Sequence, residues 1–209
     1  MKPALLVIAG PNGAGKTTVT TRLRAEHWSE GVEYLNPDEI ARDRFGDWNA
    51  PNAVLQAAAW TQARREELLL ARNGIAFETV FSAPDKIDFL QRAIDAGYFV
   101  RLFFIGTSDP RINASRVAGR VMAGGHTVPL EKIVSRYSKS IGNLSVAIRL
   151  AHRVYVYDNS IDGIEAKLLA RTSEGALRKV YGPLPQWIAD AIDELPKHSA
   201  FVDASGSNP

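Results

Sequence analysis

Cysteine is absent from this sequence of 209 residues, which excludes disulfides and thiol chemistry and fits a reducing, cytoplasmic setting. A surplus of one charge is also missing. Lys and Arg total 25 against 23 Asp and Glu, so the net charge is only +2 and gives no support to nucleic-acid binding. Long apolar runs are missing too, since no stretch approaches the roughly 18 residues of a membrane span. The N-terminal run Ala4–Ala9 is six residues long and leads straight into glycines and a lysine, too short for a signal-peptide core. Neither a membrane nor a nucleic acid is expected as a partner.

What is present reads as one α/β domain over residues 1–195. Five short apolar runs recur: Leu5–Ala9, Val32–Leu35, Ile75–Val80, Tyr98–Ile105 and Val154–Tyr157. They are rich in β-branched and aromatic residues and alternate with helix-length segments, which predicts a five-stranded, mainly parallel sheet flanked by helices. Asn52–Arg72 is built from good helix formers and stops at Asn73-Gly74, and Pro84–Ala96 ends likewise at Gly97. Further on, Glu165–Arg171 and Ala176–Tyr181 flank Thr172–Gly175 as a β-hairpin. A short helix over Pro185–Leu195 follows, and residues 196–209 read as a flexible polar tail.

Residues Gly10, Pro11, Asn12, Gly13, Ala14, Gly15, Lys16 and Thr17 fill every position of G-x-x-x-x-G-K-[ST], between an apolar strand and a helix-like segment. Glycines let the backbone wrap closely, so successive amides point at phosphate oxygens, and the helix N-terminus adds partial positive charge. Lys16 can reach the β- and γ-phosphates, and the Thr17 hydroxyl can take a Mg²⁺ position. Nucleotide binding follows, in the P-loop NTPase/kinase fold. The guanine-reading tetrapeptide Asn-Lys-x-Asp does not occur, which favours ATP, and the signatures of transporter and motor ATPases are also missing. A small phosphotransferase remains.

Such an enzyme must deprotonate an acceptor hydroxyl and neutralise the moving phosphoryl group. Asp38 follows the second strand, at the sheet edge where α/β folds bind ligands. It reads either as the base or as the N-cap of a helix over Glu39–Arg44. Glu78 sits within an apolar strand, where a carboxylate needs a partner; Mg²⁺ or acceptor contact and a structural salt bridge are the two readings. Arg111, Arg116, Arg120 and Arg136 bracket Gly124-Gly125-His126, and the segment 111–137 reads as a lid over the nucleotide. The alternative for these arginines is a solvated basic helix.

Taken together, Pro11–Thr18, Asn36–Ala41, Phe77–Thr79, Gly124–Pro129, Arg136-Tyr137 with Ser140 and Asn143-Leu144, and Tyr157–Ser160 resemble the zeta-toxin family of P-loop kinases, as a small single-domain member. The resemblance implies an ATP-dependent phosphotransferase whose acceptor is a hydroxyl on a nucleotide-sugar such as UDP-N-acetylglucosamine, acting as a toxin with an antitoxin protein as partner. It further implies Lys16, Thr17 and Thr18 at the phosphates and Mg²⁺, Asp38 as catalytic base, and Glu78 as a metal-water or substrate contact. Arg120 and Arg136 would embrace the γ-phosphate, with Arg116 as the alternative to Arg120. The first strand would lie centrally beside the third. A reading from another class is a nucleotide-gated ATPase that grips a partner protein and has no small-molecule acceptor.

Overall fold

The computed structural model describes residues 2–24, 26, 30–46, 50–122 and 128–203. Five parallel strands form where the apolar runs lie: β1 (Ala4–Ala9), β2 (Val32–Leu35), β3 (Gly74–Thr79), β4 (Phe99–Gly106) and β5 (Arg153–Asp158). Their order is β2-β3-β1-β4-β5, so β1 is central and lies beside β3, as expected. Helices α1 (Lys16–Arg24), α2 (Pro37–Phe45), α3 (Pro51–Leu70), α4 (Asp85–Asp95), α5 (Pro110–Met122) and α6 (Leu130–Leu150) alternate with them. Among the described residues no helix is long and apolar enough to cross a membrane.

The apolar alternation of the strands builds the core. Val7, Leu102, Phe104 and Val154 project from one sheet face onto Phe89, Leu90, Leu144 and Ile148 of α4 and α6. Burying each such side chain contributes about 1.5–3 kcal/mol. On the opposite face Val19 of α1 packs with Ile8 and Ile105. That contact seats the first turn of α1 directly beyond the C-terminal end of β1.

Among the described residues the sheet holds eight strands, three more than expected. The predicted hairpin exists as β6 (Lys167–Ser173) and β7 (Ala176–Val180), but β6 pairs antiparallel with β5 and so continues the main sheet. Glu174 and Gly175 both have positive φ, the geometry of the tight turn that joins twisted strands. After α7 (Gln186–Asp193) the expected tail instead opens with β8 (Lys197–Asp203), parallel to β7. Its polar composition suits an edge strand, since one ladder suffices and Phe201 alone reaches the core. Residues 204–209 of that expected tail lie outside the described residues.

Candidate active site

The loop after β1 owes its shape to three glycines. Gly10, Gly13 and Gly15 have φ of 148°, 77° and 87°, a region that other residues adopt at a cost of roughly 1–2 kcal/mol. A Cβ on Gly10 would lie 2.1 Å from the Ile105 carbonyl oxygen, and one on Gly13 would lie 2.5 Å from that of Asn113. Outside the loop, Asn113 Nδ2 donates to Asn12 O at 2.6 Å, and Asn159 Nδ2 donates to Ala14 O at 2.8 Å. Thr107 Oγ1 in turn donates to Asn113 Oδ1. Spacing gave no hint of Thr107 or Asn113. Asn159 lies in the Tyr157–Ser160 stretch that carried the family resemblance.

Lys16 folds back over this loop, its ammonium donating to Gly10 O at 2.9 Å and Pro11 O at 3.1 Å. Burial lowers its pKa from 10.5 to about 8, Glu78 and Asp38 work against that shift, and Arg120 adds to it. The ammonium, which donates to two neutral carbonyls, is therefore poised for an anion.

Register places Glu78 opposite Ile8, two residues before Gly10. Its neighbours Phe77 and Ile75 are buried, but Glu78 itself is only partly buried because it faces the cleft at the end of the strand. The salt-bridge reading does not hold, since among the described residues Glu78 makes no ion pair. Two hydroxyls hold Oε1 instead, Thr20 at 2.6 Å and Tyr34 at 2.8 Å. Thr20 stands one helical turn after Lys16, a spacing that could have flagged it, whereas Tyr34 reaches Glu78 only through the β2–β3 pairing. Burial and the adjacent Glu78 charge raise the Tyr34 pKa, so it stays a donor.

The N-cap reading of Asp38 is corrected as well. The cap of α2 is Asn36, whose side chain accepts from the Asp38 amide at 3.0 Å. Pro37 occupies the first helical position, which leaves the Asp38 carboxylate with no capping duty.

A cleft of about 560 Å³ unites Lys16, Thr17, Asp38, Glu78, Arg120 and Arg136. Arg136 also donates to Asn12 Oδ1 at 3.4 Å, on the rim of the loop. Oxygen donors of the Thr17 and Glu78 type suit Mg²⁺, and the two bonds to Glu78 both go to Oε1, leaving Oε2 for a cation or its water.

Arg116 parts from this group. It pairs with Asp162 at 2.5 Å and donates to Asn159 O at 2.8 Å and Gly13 O at 3.5 Å. It lines a second cleft of about 250 Å³ with Gly15, Thr18, Asn159 and Ile161. The solvated-helix alternative thus does not fit Arg116, whereas Arg120 is exposed at the edge of the larger cleft and Arg111 is exposed and paired with Asp109. Helices α5 and α6 form the body of the expected lid, and Gly124, Gly125, His126 and Thr127 lie outside the described residues.

Comparison with known proteins bears on the family and the fold. The family model described as zeta toxin matches residues 1–163. A Haemophilus influenzae protein described as uncharacterized is 26% identical over 137 residues, 66% of this chain and 94% of that one. A thymidylate kinase of a Geobacillus species is 25% identical over 204 residues, covering 81% of this chain and 96% of the relative. Among solved structures, one from work on the PezAT toxin–antitoxin system of Streptococcus pneumoniae superimposes with a TM-score of 0.58 at 14% identity, over 93% of this chain and 78% of its own. An AvrRxo1-ORF1:-ORF2 structure with ATP gives 0.63 at 18% identity, over 84% of this chain and 60% of its own. At these identities the structural matches carry the fold and nothing more.

Proposed function

This chain belongs to the zeta toxin family and is a kinase, and we propose from that premise that it moves the γ-phosphate of ATP to a hydroxyl of a small molecule. The proposed acceptor is a nucleotide-sugar such as UDP-N-acetylglucosamine. One observation carries the reading: a single cleft brings a phosphate-binding lysine, a carboxylate free of structural duty and two arginines together.

In the proposed reaction the loop amides and Lys16 hold the β- and γ-phosphates, and Arg116 belongs to the nucleotide side. The acceptor oxygen bonds to the γ-phosphorus while the bond from that phosphorus to the β–γ bridging oxygen breaks. Asp38 takes the hydroxyl proton, and ADP departs with the electron pair. Arg120 and Arg136 offset the charge spread over the transferring group, the term that dominates such reactions. Thr17 and Glu78 would hold Mg²⁺, which when bound neutralises charge on the β- and γ-oxygens.

Two further parts of the proposal are a protein antitoxin as partner and a cytoplasmic location, where ATP is supplied. Support for the first comes from the toxin–antitoxin system behind one of the similar structures. Labelled ATP, Mg²⁺ and a panel of nucleotide-sugars, sugars and nucleosides test the central claim. Wild-type protein should label one acceptor class, and Asp38→Asn should lose the activity while binding ATP normally. Absence of transfer to every acceptor, with ATP still bound, would reject the assignment in favour of a nucleotide-gated interaction protein.

A further inference from the structure

Trp187 lies in α7, beyond the residues that match the zeta toxin family, and it lines neither cleft. Its indole nevertheless rests on the ends of two strands that carry the site. A Cβ added at Gly106, the last residue of β4, would lie 2.3, 2.6 and 2.8 Å from Trp187 Cη2, Cζ3 and Cζ2. Glycine is what lets the ring come that close to the backbone. Nε1 of the same indole donates at 3.3 Å to Asp158 Oδ1, and Asp158 is the residue paired with Gly106 across β4 and β5. Trp187 also packs on the core beside Phe104, 6.2 Å between ring centroids, so it cannot swing away without opening a cavity.

Asn159 follows Asp158 and is fixed at the same point. Its backbone amide donates to Gly106 O at 2.9 Å, and its side chain donates to Ala14 O of the phosphate loop at 2.8 Å. Ser160 Oγ donates to Asp158 Oδ1 at 2.6 Å and accepts from the Ser108 amide at 2.8 Å, which ties the two strand ends into one unit. Trp187 thus grips both residues that fix the Asn159 backbone. Misplacing a binding group by an ångström from a distance can cost about 10²-fold in rate.

We propose that Trp187 is a positioning residue for ATP: through Gly106 and Asp158 it holds Asn159 against the phosphate loop, which makes α7 part of the nucleotide machinery. The inference rests on reading that loop as the ATP site and adds the element that keeps it in shape.

Calorimetry on the full chain with Mg²⁺ and a non-hydrolysable ATP analogue tests it. Trp187→Phe draws the ring back from Gly106 and removes the N–H, and it should weaken binding about fivefold or more. In an Asn159→Ala background the same substitution should change affinity less than about twofold, because the path is already cut. A tryptophan that only packs the core would lower thermal stability in both backgrounds without producing this difference. Fluorine NMR on protein labelled with fluorotryptophan adds a direct signature. The resonance missing from Trp187→Phe should shift when the analogue binds and stay in place in Asn159→Ala. Equal affinity in wild type and Trp187→Phe, the same loss in both backgrounds, or a Trp187 resonance indifferent to the analogue overturns the proposal. Should Trp187→Phe lack a cooperative thermal transition, Gly106→Ala, whose methyl displaces the indole, carries the affinity test with the same outcomes. Wild-type protein that fails to bind the analogue would overturn the ATP site and this inference together. Trp187-dependent binding without transfer to any acceptor would reject the proposed acceptor reaction alone.

Discussion

The Tyr34 hydroxyl donates to Glu78 Oε1 at 2.8 Å and accepts from Asn36 Nδ2 at 3.2 Å. Because Asn36 also caps the Asp38 amide, one phenol connects the two carboxylates of the cleft. Tyr34→Phe removes a donor to a charged group and leaves the Asn36 amide without its acceptor. Such bonds contribute about 1.5–3 kcal/mol. The variant should lose about 1.5–3 kcal/mol of stability in urea denaturation and lose turnover through both Glu78 and α2. Unchanged turnover would show that the position of Glu78 does not matter to the reaction.

How far the sequence reveals this arrangement depends on the range of the interaction. The glycine loop, the five parallel strands and the first turn of α1 are local features, dictated by glycine conformation and apolar patterning within a few residues. Asp38 and Glu78 stand out because each falls at a strand end or inside an apolar run. Tyr34 and Asn113 do not, since their partners Glu78 and Asn12 lie 44 and 101 residues away and meet only once the sheet is assembled, and Thr107 reaches the loop only through Asn113. β8 escapes for another reason: Lys197, His198 and Ser199 give no apolar alternation, and its pairing comes from backbone groups on the open edge of β7.

Lys16 is expected to set the pH dependence of nucleotide binding. Its pKa is near 8 in the free protein, and bound phosphates raise it, so binding above pH 8 requires proton uptake. Affinity for an ATP analogue should be flat below about pH 7.5 and should fall up to tenfold per unit above pH 8. The sign for stability is opposite. The unfolded lysine holds its proton to about 10.5, so this group favours the fold of the free protein increasingly as pH rises from 8 toward 10.5. Titrations from pH 6.5 to 9.5 check the first statement, and Lys16→Met should abolish the slope.

The glycines of the loop should not respond alike to alanine. At Gly13 both a left-handed φ and a backbone oxygen 2.5 Å from the added Cβ oppose the change. At Gly15 the φ penalty is similar, but the obstruction at 2.2 Å is the Asn159 side-chain amide, which can rotate away. Gly13→Ala should therefore cost more stability than Gly15→Ala, whose conformational term is about 1–2 kcal/mol. Gly15→Ala should instead loosen Ala14 O from Asn159 and weaken ATP binding. Thermal unfolding with and without nucleotide distinguishes the two outcomes.

Arg116 and Arg120 lie one helical turn apart in α5, yet they stand in different clefts. Arg116 is tied to Asp162, Asn159 O and Gly13 O, so Arg116→Ala should disturb the loop and the nucleotide side, raising KM for ATP with a smaller change in kcat. Arg120 stands with Lys16, Asp38 and Arg136. An arginine that offsets charge on the transferring group acts in the transition state and is worth about 10³–10⁵ in kcat. Arg120→Ala should thus lower kcat by at least about 10²-fold with KM for ATP nearly unchanged, and Arg120→Lys should recover little because a point charge lacks the planar fork. Steady-state kinetics on the three variants settle the assignment, and a KM effect confined to Arg120→Ala would reverse the two roles.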